Sequence, residues 1–218
     1  ISPELSNHHQ QVSYLSYFLA EQAGLPIEQK KDVFLAALVH DFGVLSKKER
    51  LELVETEPLT VNNHGFRGAK LLERFRPLQN AARIVKFHHL PWNNGDGRFY
   101  MGEEVPFASH IVHLADRTCA MLRSDINVLS QLPDVLAAVK EKSNTKFEPG
   151  LVNALFELKD KEYIWLDLTS RSPVKRMPEN VLFDMLFLEI DDIIDLALIF
   201  SQIIDFRSRF TACHSAGV

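Results

Sequence analysis

Seven histidine and aspartate residues carry the most visible chemistry of this sequence: His8, His40, Asp41, His64, His88, His89 and Asp116. Imidazole nitrogens and carboxylate oxygens together suit first-row divalent metals, and seven ligands are too many for one tetrahedral site. The set therefore predicts a centre of two divalent ions, drawn from Fe, Mn, Zn or Ni. Such a pair lowers the pKa of a bound water and holds a phosphoryl oxygen, which is what phosphoester hydrolysis needs.

Asp41 is the predicted bridging ligand and a candidate catalytic residue. A carboxylate has two oxygens, whereas a neutral imidazole offers one nitrogen lone pair to a metal. Asp41 is therefore the natural group to join two ions.

The spacing of these residues places them on the apolar faces of predicted helices. His8 lies four residues before Val12, and His40 lies seven residues after Val33. Residues at such intervals share one helix face, so both imidazoles are expected to point toward the core. A single histidine at a helix end is usually a capping or surface group. Seven residues in register are much harder to obtain by chance, and they favour a metal centre over structural histidines.

The elements that must position these residues are helices. Apolar positions recur at helical spacing, and strand patterns are weak. Gly24 and Pro26 end the first helix, and the helix that Pro77 opens is expected to end in His88 and His89. The predicted class is all-α, a helical bundle with a long C-terminal helix. The predicted helices cover about 8–23, 27–39, 47–57, 64–75, 77–89, 106–122, 130–142, 148–164 and 181–209, with loops at 91–97 and 170–180.

The composition is that of a globular chain and disfavours several partners. Of 218 residues, 46% are hydrophobic and 24% are charged, and the net charge is -5. This balance offers no basic face for duplex nucleic acid. No run approaches the roughly 18 apolar residues that would cross a membrane. Cys119 and Cys213 are too few for a disulfide framework, so a reducing cytoplasm is the expected location.

Five sequence blocks occur in the order and at the intervals of a known family. They are His8 through Val12, LVHDFGVL at 38–45, HGFRGAKLLE at 64–73, KFHHLPWNNGDG at 86–97 and HIVHLADRTCAML at 110–122. Over about residues 5–160 the chain resembles the HD-GYP branch of the HD superfamily. The resemblance implies a helical HD fold, and it matches all seven residues above to the family's metal ligands. It also implies hydrolysis of a nucleotide phosphodiester such as cyclic di-GMP.

Two departures from the family pattern bear on catalysis. Val44 stands where the family has a lysine, and the sequence from Asn93 to Tyr100 replaces the Gly-Tyr-Pro loop. Neither change touches a ligand, so metal binding is expected to survive while substrate and turnover stay open. The alternative is a non-catalytic regulatory module of a bacterial signalling protein that binds metal or nucleotide. Arg117 is the preferred catalytic cation because it follows Asp116. The candidates for replacement charge are Lys47, Lys48, Arg67, Lys70, Arg98 and Arg117.

Three further histidines fall outside this set. His9 is rotated by about 100° from its predecessor on the helix, so a surface position is expected. His110 and His113 lie one turn apart and are expected at a helix surface. The alternative for these two histidines is hydrogen bonding to Asp116 or Arg117.

The expected organisation is one HD-type metal-binding domain at 1–165, then a linker and a long helix at 166–218. Residues 200–218 resemble the segment that leads into a further HD domain, with His214 at the position that His8 holds here. Because the chain also starts without methionine, we expect a piece of a longer protein with a second HD domain. The long apolar helix suits a homodimer or another partner, and a purely structural interaction domain is a third functional alternative.

Overall fold

The structure, a computed structural model, describes residues 7–44, 62–177 and 187–207. Within these ranges the chain is predominantly helical, which confirms the predicted all-α class. The sheet found there is a two-stranded hairpin of β1 (Phe99–Tyr100) and β2 (Glu103–Glu104). The helices, in chain order, are α1 (His8–Gln22), α2 (Ile27–Val39), α3 (Asn62–Leu72), α4 (Gln79–Lys86), α5 (Phe107–Met121), α6 (Val128–Glu141), α7 (Pro149–Glu157), α8 (Glu162–Leu168) and α9 (Ile190–Arg207).

The first two helices lie at the centre of the bundle. α1 stops near the predicted position, because Gly24 adopts a φ of 76° and the Leu25 amide donates to the Ala20 carbonyl at 3.0 Å. Glycine adopts this left-handed conformation at little cost, and Pro26 directly precedes α2. α1 packs along α2 and α5, and α2 also packs on α4. Six of the seven predicted ligands lie on these four helices or directly after them.

A glycine lets the turn after α2 lie directly against α3. A Cβ atom on Gly43 would sit 1.9 Å from the backbone oxygen of His64 and 2.5 Å from the amide nitrogen of Gly68. Such distances are far inside van der Waals contact, so this approach of the two segments requires glycine. The Arg67 Nε donates to the Gly43 carbonyl at 2.9 Å and ties the same segments together. The contact brings His64 beside the turn that carries Asp41.

The single helix expected over 148–164 is in fact two helices. α7 ends at Glu157, and α8 begins at Glu162. The Nε1 of the fully buried Trp165 donates to the Leu158 carbonyl at 3.0 Å, so the break between the helices satisfies the indole N–H. The expectation was wrong because the apolar pattern continues across the break, and periodicity alone does not reveal it.

The last helix, α9, is attached to the bundle and also exposes an apolar face. The Arg76 guanidinium and the Asp192 carboxylate lie 2.6 Å apart, while Ile190, Ile194 and Phe200 are exposed. In the part of the chain that the structure describes, no helix is long and apolar enough to cross a membrane.

Several expectations about the chain's organisation stay predictions. They are the domain boundary at 165, the homodimer through α9, the second HD domain and the cytoplasmic location. The helix predicted at 47–57, the start of the helix predicted at 181–209, and His214 lie outside the described residues.

Candidate metal centre

Seven side chains from five parts of the bundle converge at one place. His8 opens α1, His64 lies in the first turn of α3, and Asp116 lies on α5. The pair at 40–41 directly follows α2. The pair at 88–89 lies in the turn after α4, not in the helix itself as expected. All seven side chains are buried, and even the Asp41 carboxylate is only 8% exposed.

Four of these residues form a first group of potential ligands, with one ligand atom from each within 4.8 Å of the others: Asp41, His64, His88 and His89. The His64 Nε2 lies 3.4 Å from the His88 Nε2 and 3.1 Å from the His89 Nε2. The Asp41 Oδ1 lies 3.6 Å from the same His64 nitrogen. One carboxylate and three imidazoles make a donor set that suits a first-row divalent ion.

A second group consists of His8, His40 and Asp41, whose ligand atoms also lie within 4.8 Å of one another. Asp116 adjoins this group, because its Oδ1 lies 3.0 Å from the His8 Nε2 and 3.7 Å from the His40 Nε2. The Asp41 Oδ1 lies 3.5 Å from that His40 nitrogen. Since Asp41 belongs to both groups, the geometry suits one carboxylate shared by two ions.

Backbone carbonyls orient two of the imidazoles. The Nδ1 of His40 donates to the Ala37 carbonyl, and the Nδ1 of His88 donates to the Val85 carbonyl, each at 2.7 Å. Because Nδ1 carries the proton, Nε2 of each neutral ring keeps its lone pair. The buried Nε2 of His40 has no hydrogen-bond partner among the described residues. A cation would satisfy this lone pair, so the residues present fit a metal centre.

Burial favours the neutral form of two imidazoles in the first group. Burial lowers the pKa of His88 far below its usual value, and the adjacent His89 and His64 rings lower it further. Burial also lowers the pKa of His89 to about 3. A neutral imidazole is the form that binds metal, so burial already favours the ligand state of these two rings.

Arg117 lies against one of the two carboxylates. Its side chain is 11% exposed, and its Nε donates to the Asp116 Oδ2 at 3.1 Å. Burial raises the pKa of Asp116, but Arg117 and the hydrogen bond with His8 outweigh it and hold the pKa well below its usual range. The pKa of Asp41 is also lowered, because nearby histidines, chiefly His40, outweigh the effect of burial. Both carboxylates are therefore ionised at neutral pH.

The other candidate cations are engaged elsewhere or are not described. Lys70 is exposed and pairs with Glu73. Arg98 is exposed and donates to a carbonyl of its own loop at 3.0 Å. Arg67 bonds to the turn after α2, and residues 47–48 lie outside the described ranges. Arg117 thus remains the preferred cation among those described.

His9 lies closer to the cluster than expected. Its ring centroid is 5.0 Å from that of His40, and the His8 ring is 5.5 Å from the same His40 ring. His9 is partly exposed, which does not contradict the expected surface position, but α1 packs closely on α2 and brings its ring against the cluster as well. His40 therefore lies between two consecutive residues of α1.

His110 and His113 are buried, at 3% and 1% exposure, so the expected helix-surface position was wrong. Trp92 packs edge-on against His110 with centroids 5.2 Å apart, and Phe147 covers His113 at 5.4 Å. The His113 ring also lies 5.9 Å from that of His89. A sequence signal existed, since His113 precedes Asp116 by three residues and shares its helix face.

The loop that replaces the Gly-Tyr-Pro signature is held in a defined shape. Asn93, Asn94 and Gly95 all adopt left-handed φ angles, of 48°, 56° and 99°. The backbone N–H of Asn93 donates to the carbonyl of Thr145 and that of Asn94 to the carbonyl of Asn144, each at 2.7 Å. The connection between α6 and α7 therefore braces this loop, although 50 residues separate the two segments.

The sequence profile of the HD domain matches residues 5–121, more than half of the chain. The chain belongs to the HD domain family. HD phosphohydrolases depend on metal, and this HD chain has a His/Asp cluster that could bind it. Family membership thus agrees with the chemistry of the site.

Relatives of this HD chain include two phosphodiesterases. The 3'3'-cGAMP-specific phosphodiesterase 1 of Vibrio cholerae is 28% identical over 97% of this chain and 51% of that protein. The cyclic di-GMP phosphodiesterase of Thermotoga maritima is 27% identical over 71% of this chain and 45% of that protein. The chain thus spans about half the length of the curated relatives it matches.

A solved structure shares the fold. The crystal structure of a cyclic GMP-AMP specific phosphodiesterase of V. cholerae superposes with a TM-score of 0.70 at 19% identity. The match covers 96% of this chain and 57% of that one. It supports the HD fold of nearly the whole chain.

Proposed function

We propose that this chain is a metal-dependent phosphodiesterase domain that hydrolyses a cyclic dinucleotide. The observation that carries the proposal is the buried cluster in which Asp41 belongs to two groups of potential metal ligands. The relatives described above support it, since they are phosphodiesterases of 3'3'-cGAMP and of cyclic di-GMP. We propose 3'3'-cGAMP as the first substrate to test, because the relative specific for it aligns along nearly the whole chain.

The proposed centre holds two divalent ions, of Fe, Mn, Zn or Ni. The proposed ligands are His64, His88 and His89 for one ion, His8, His40 and Asp116 for the other, and Asp41 for both. When bound, such a pair lowers the pKa of a water molecule and stabilises charge on a phosphoryl oxygen.

The protein's own residues prepare the site for this reaction. Asp41 and Asp116 are ionised, and the buried His88 is neutral and oriented by a backbone carbonyl, so these groups are already in the form that binds a metal. Arg117 is the second proposed catalytic residue. Its Nε donates to Asp116, which places the guanidinium next to the proposed ligands, and a guanidinium suits phosphate, so we assign the group to a substrate phosphate. Hydrolysis then adds water across one P–O ester bond. The water oxygen joins phosphorus, and the departing ribose oxygen takes up a proton.

The test is turnover by the purified chain after chelation and reloading with each metal. Cyclic GMP-AMP, cyclic di-GMP, a linear dinucleotide and a chromogenic phosphodiester should be assayed by product chromatography or absorbance. We expect metal-dependent cleavage of a cyclic dinucleotide that chelator abolishes, with Asp41→Asn as the matched inactive control. If the fully metallated chain cleaves none of these esters, the phosphodiesterase proposal fails and the regulatory alternative takes its place.

A further inference from the structure

The helix α9 is apolar on two opposite sides. One side lies on the bundle, where Ile199 is buried and Asp192 pairs with Arg76 at 2.6 Å. The opposite side carries large apolar side chains that are between 43% and 77% exposed: Ile190, Ile193, Ile194, Leu198, Phe200 and Ile204. Exposed apolar residues that share one helix face mark an interaction surface.

The spacing of these residues indicates that another helix packs on this face. Ile190, Ala197 and Ile204 recur at intervals of seven residues, and Ile193 and Phe200 fall between them, also seven apart. Apolar residues at alternating intervals of three and four form the seam of a coiled coil, in which two helices pack nearly aligned. The exposed face of α9 therefore suits a helix that runs along its whole length.

The exposed face is nearly the same in both directions from its centre, the small and exposed Ala197. Ile190 and Ile204 lie seven residues before and after Ala197, and Ile194 and Phe200 lie three residues before and after it. If two copies of α9 pack antiparallel about Ala197, Ile190 of one copy lies opposite Ile204 of the other. Ile194 then lies opposite Phe200. A two-fold dimer requires a self-complementary patch of this kind.

The charges of α9 favour the antiparallel arrangement over the parallel one. Glu189, Asp191 and Asp195 lie in or just before the first half of the helix, whereas Asp205 and Arg207 at its end carry opposite charges. In a parallel pair the two acidic halves lie side by side, and like charges repel. An antiparallel pair keeps them apart. The same acidic half disfavours binding to an anionic membrane surface.

We propose that two copies of this chain associate through α9 as an antiparallel, two-fold symmetric dimer centred on Ala197. The dimer covers the exposed face of α9, while Arg76 and Asp192 keep the opposite face on the bundle of each copy. No proposed metal ligand takes part, so the dimer does not depend on the proposed phosphodiesterase function.

The oligomeric state of the 218-residue chain tests the dimer. Sedimentation equilibrium over roughly a hundredfold range of concentration should give the mass of two chains at the upper end. Ile194→Glu places a charge in the seam and should weaken association by at least about tenfold. Leu166→Glu is the matched control, because Leu166 on α8 is 49% exposed against 52% for Ile194. This control should associate like the wild type.

Cysteine cross-linking tests the relative direction of the two helices. Cys213→Ser is introduced first, which leaves the buried Cys119 as the only native cysteine. Ile190→Cys and Ile204→Cys are then oxidised with copper phenanthroline, each alone and as an equal mixture. We expect disulfide-linked dimers chiefly in the mixture, because the two positions lie opposite each other only in the antiparallel pair.

Three results would overturn the proposal. A wild type that stays a single chain over the whole range excludes the dimer and leaves the face to a different partner. If Ile194→Glu associates as tightly as the wild type, the dimer uses another surface. If Ile190→Cys cross-links to itself more than to Ile204→Cys, the helices are parallel.

Discussion

The Nε2 atoms of His64 and His89 lie 3.1 Å apart, although 25 residues separate them in the sequence. Burial keeps His89 neutral, with a pKa of about 3, so the contact joins two imidazoles of which only one nitrogen can donate. A divalent ion bound to both nitrogens would replace this one hydrogen bond with two metal bonds. Metal binding should therefore fasten α3 to the turn after α4.

Metal should consequently raise thermal stability. At a free concentration one hundred times its Kd, a ligand specific for the folded state adds about 2.7 kcal/mol. For a chain of this length the thermal midpoint should rise by about 5–10 °C on loading and fall again with chelator, as measured by scanning fluorimetry. His64→Ala should lose most of the rise. A thermal midpoint that does not change when metal is added would contradict the assignment of the cluster as a metal centre.

Asp41→Asn should be the most damaging single change to metal content. The amide keeps the shape of the side chain but loses the charge that both ligand groups share. We expect loss of both ions and a fall in kcat/KM of at least about a hundredfold, since metal stabilisation of charge is worth several kcal/mol. Asp116→Asn, which affects one group, should retain more metal. The reverse order of metal contents by elemental analysis would show that Asp41 is not shared.

Arg117→Gln should destabilise the metal-free chain. The change leaves the buried Asp116 carboxylate without the cation that opposes its burial, a loss of about 3 kcal/mol. Arg117→Lys should recover part of this, because lysine supplies the charge but not the planar donor geometry. Urea titration measures the stability, and the kcat of the metal-loaded variants measures the catalytic role. Equal stability of Arg117→Gln and wild type would rule out this pairing.

Gly43→Ala should cost at least about 2 kcal/mol, because its Cβ would overlap the His64 backbone oxygen at 1.9 Å. Moving α3 away would also withdraw His64 from the cluster and lower the metal content. Gly150→Ala is the matched control, since the nearest atoms there belong to the movable Glu148 carboxylate. Denaturant titration of both variants measures the free energy of unfolding. If Gly43→Ala is as stable as the wild type, the two segments do not approach as closely as described.

The sequence was sufficient to predict α1 and α2 and the inward direction of the histidines that these helices carry. His8 and His40 share helix faces with Val12 and Val33, and any packing that buries those valines brings the imidazoles inward. The helices α1 and α2 follow from the same periodicity together with Gly24, whose left-handed conformation ends α1.

What the sequence could not predict depends on distances between helices. His9 approaches His40 because of how closely α1 and α2 pack, which periodicity does not specify. The burial of His110 depends on Trp92, and the loop around Asn94 depends on a connection 50 residues away. Long-range contacts of this kind leave no local pattern in the chain.

His110 should make the metal-free chain less stable in mild acid. Burial, helped by His113, lowers the pKa of His110 to about 4, against about 6.5 for an unfolded chain. Above pH 6.5 both states are neutral at this residue, so no stability is lost. Between pH 6.5 and 4 the unfolded chain binds the extra proton, and the free energy of unfolding falls as the pH falls, by up to about 1.4 kcal/mol per unit.

His110→Phe keeps a ring against Trp92 but cannot titrate. Urea titrations of chelator-treated protein at pH 7.5 and 5 should therefore show a smaller loss of stability for the variant than for the wild type. Equal losses would mean that His110 is protonated as easily in the folded chain as in the unfolded one.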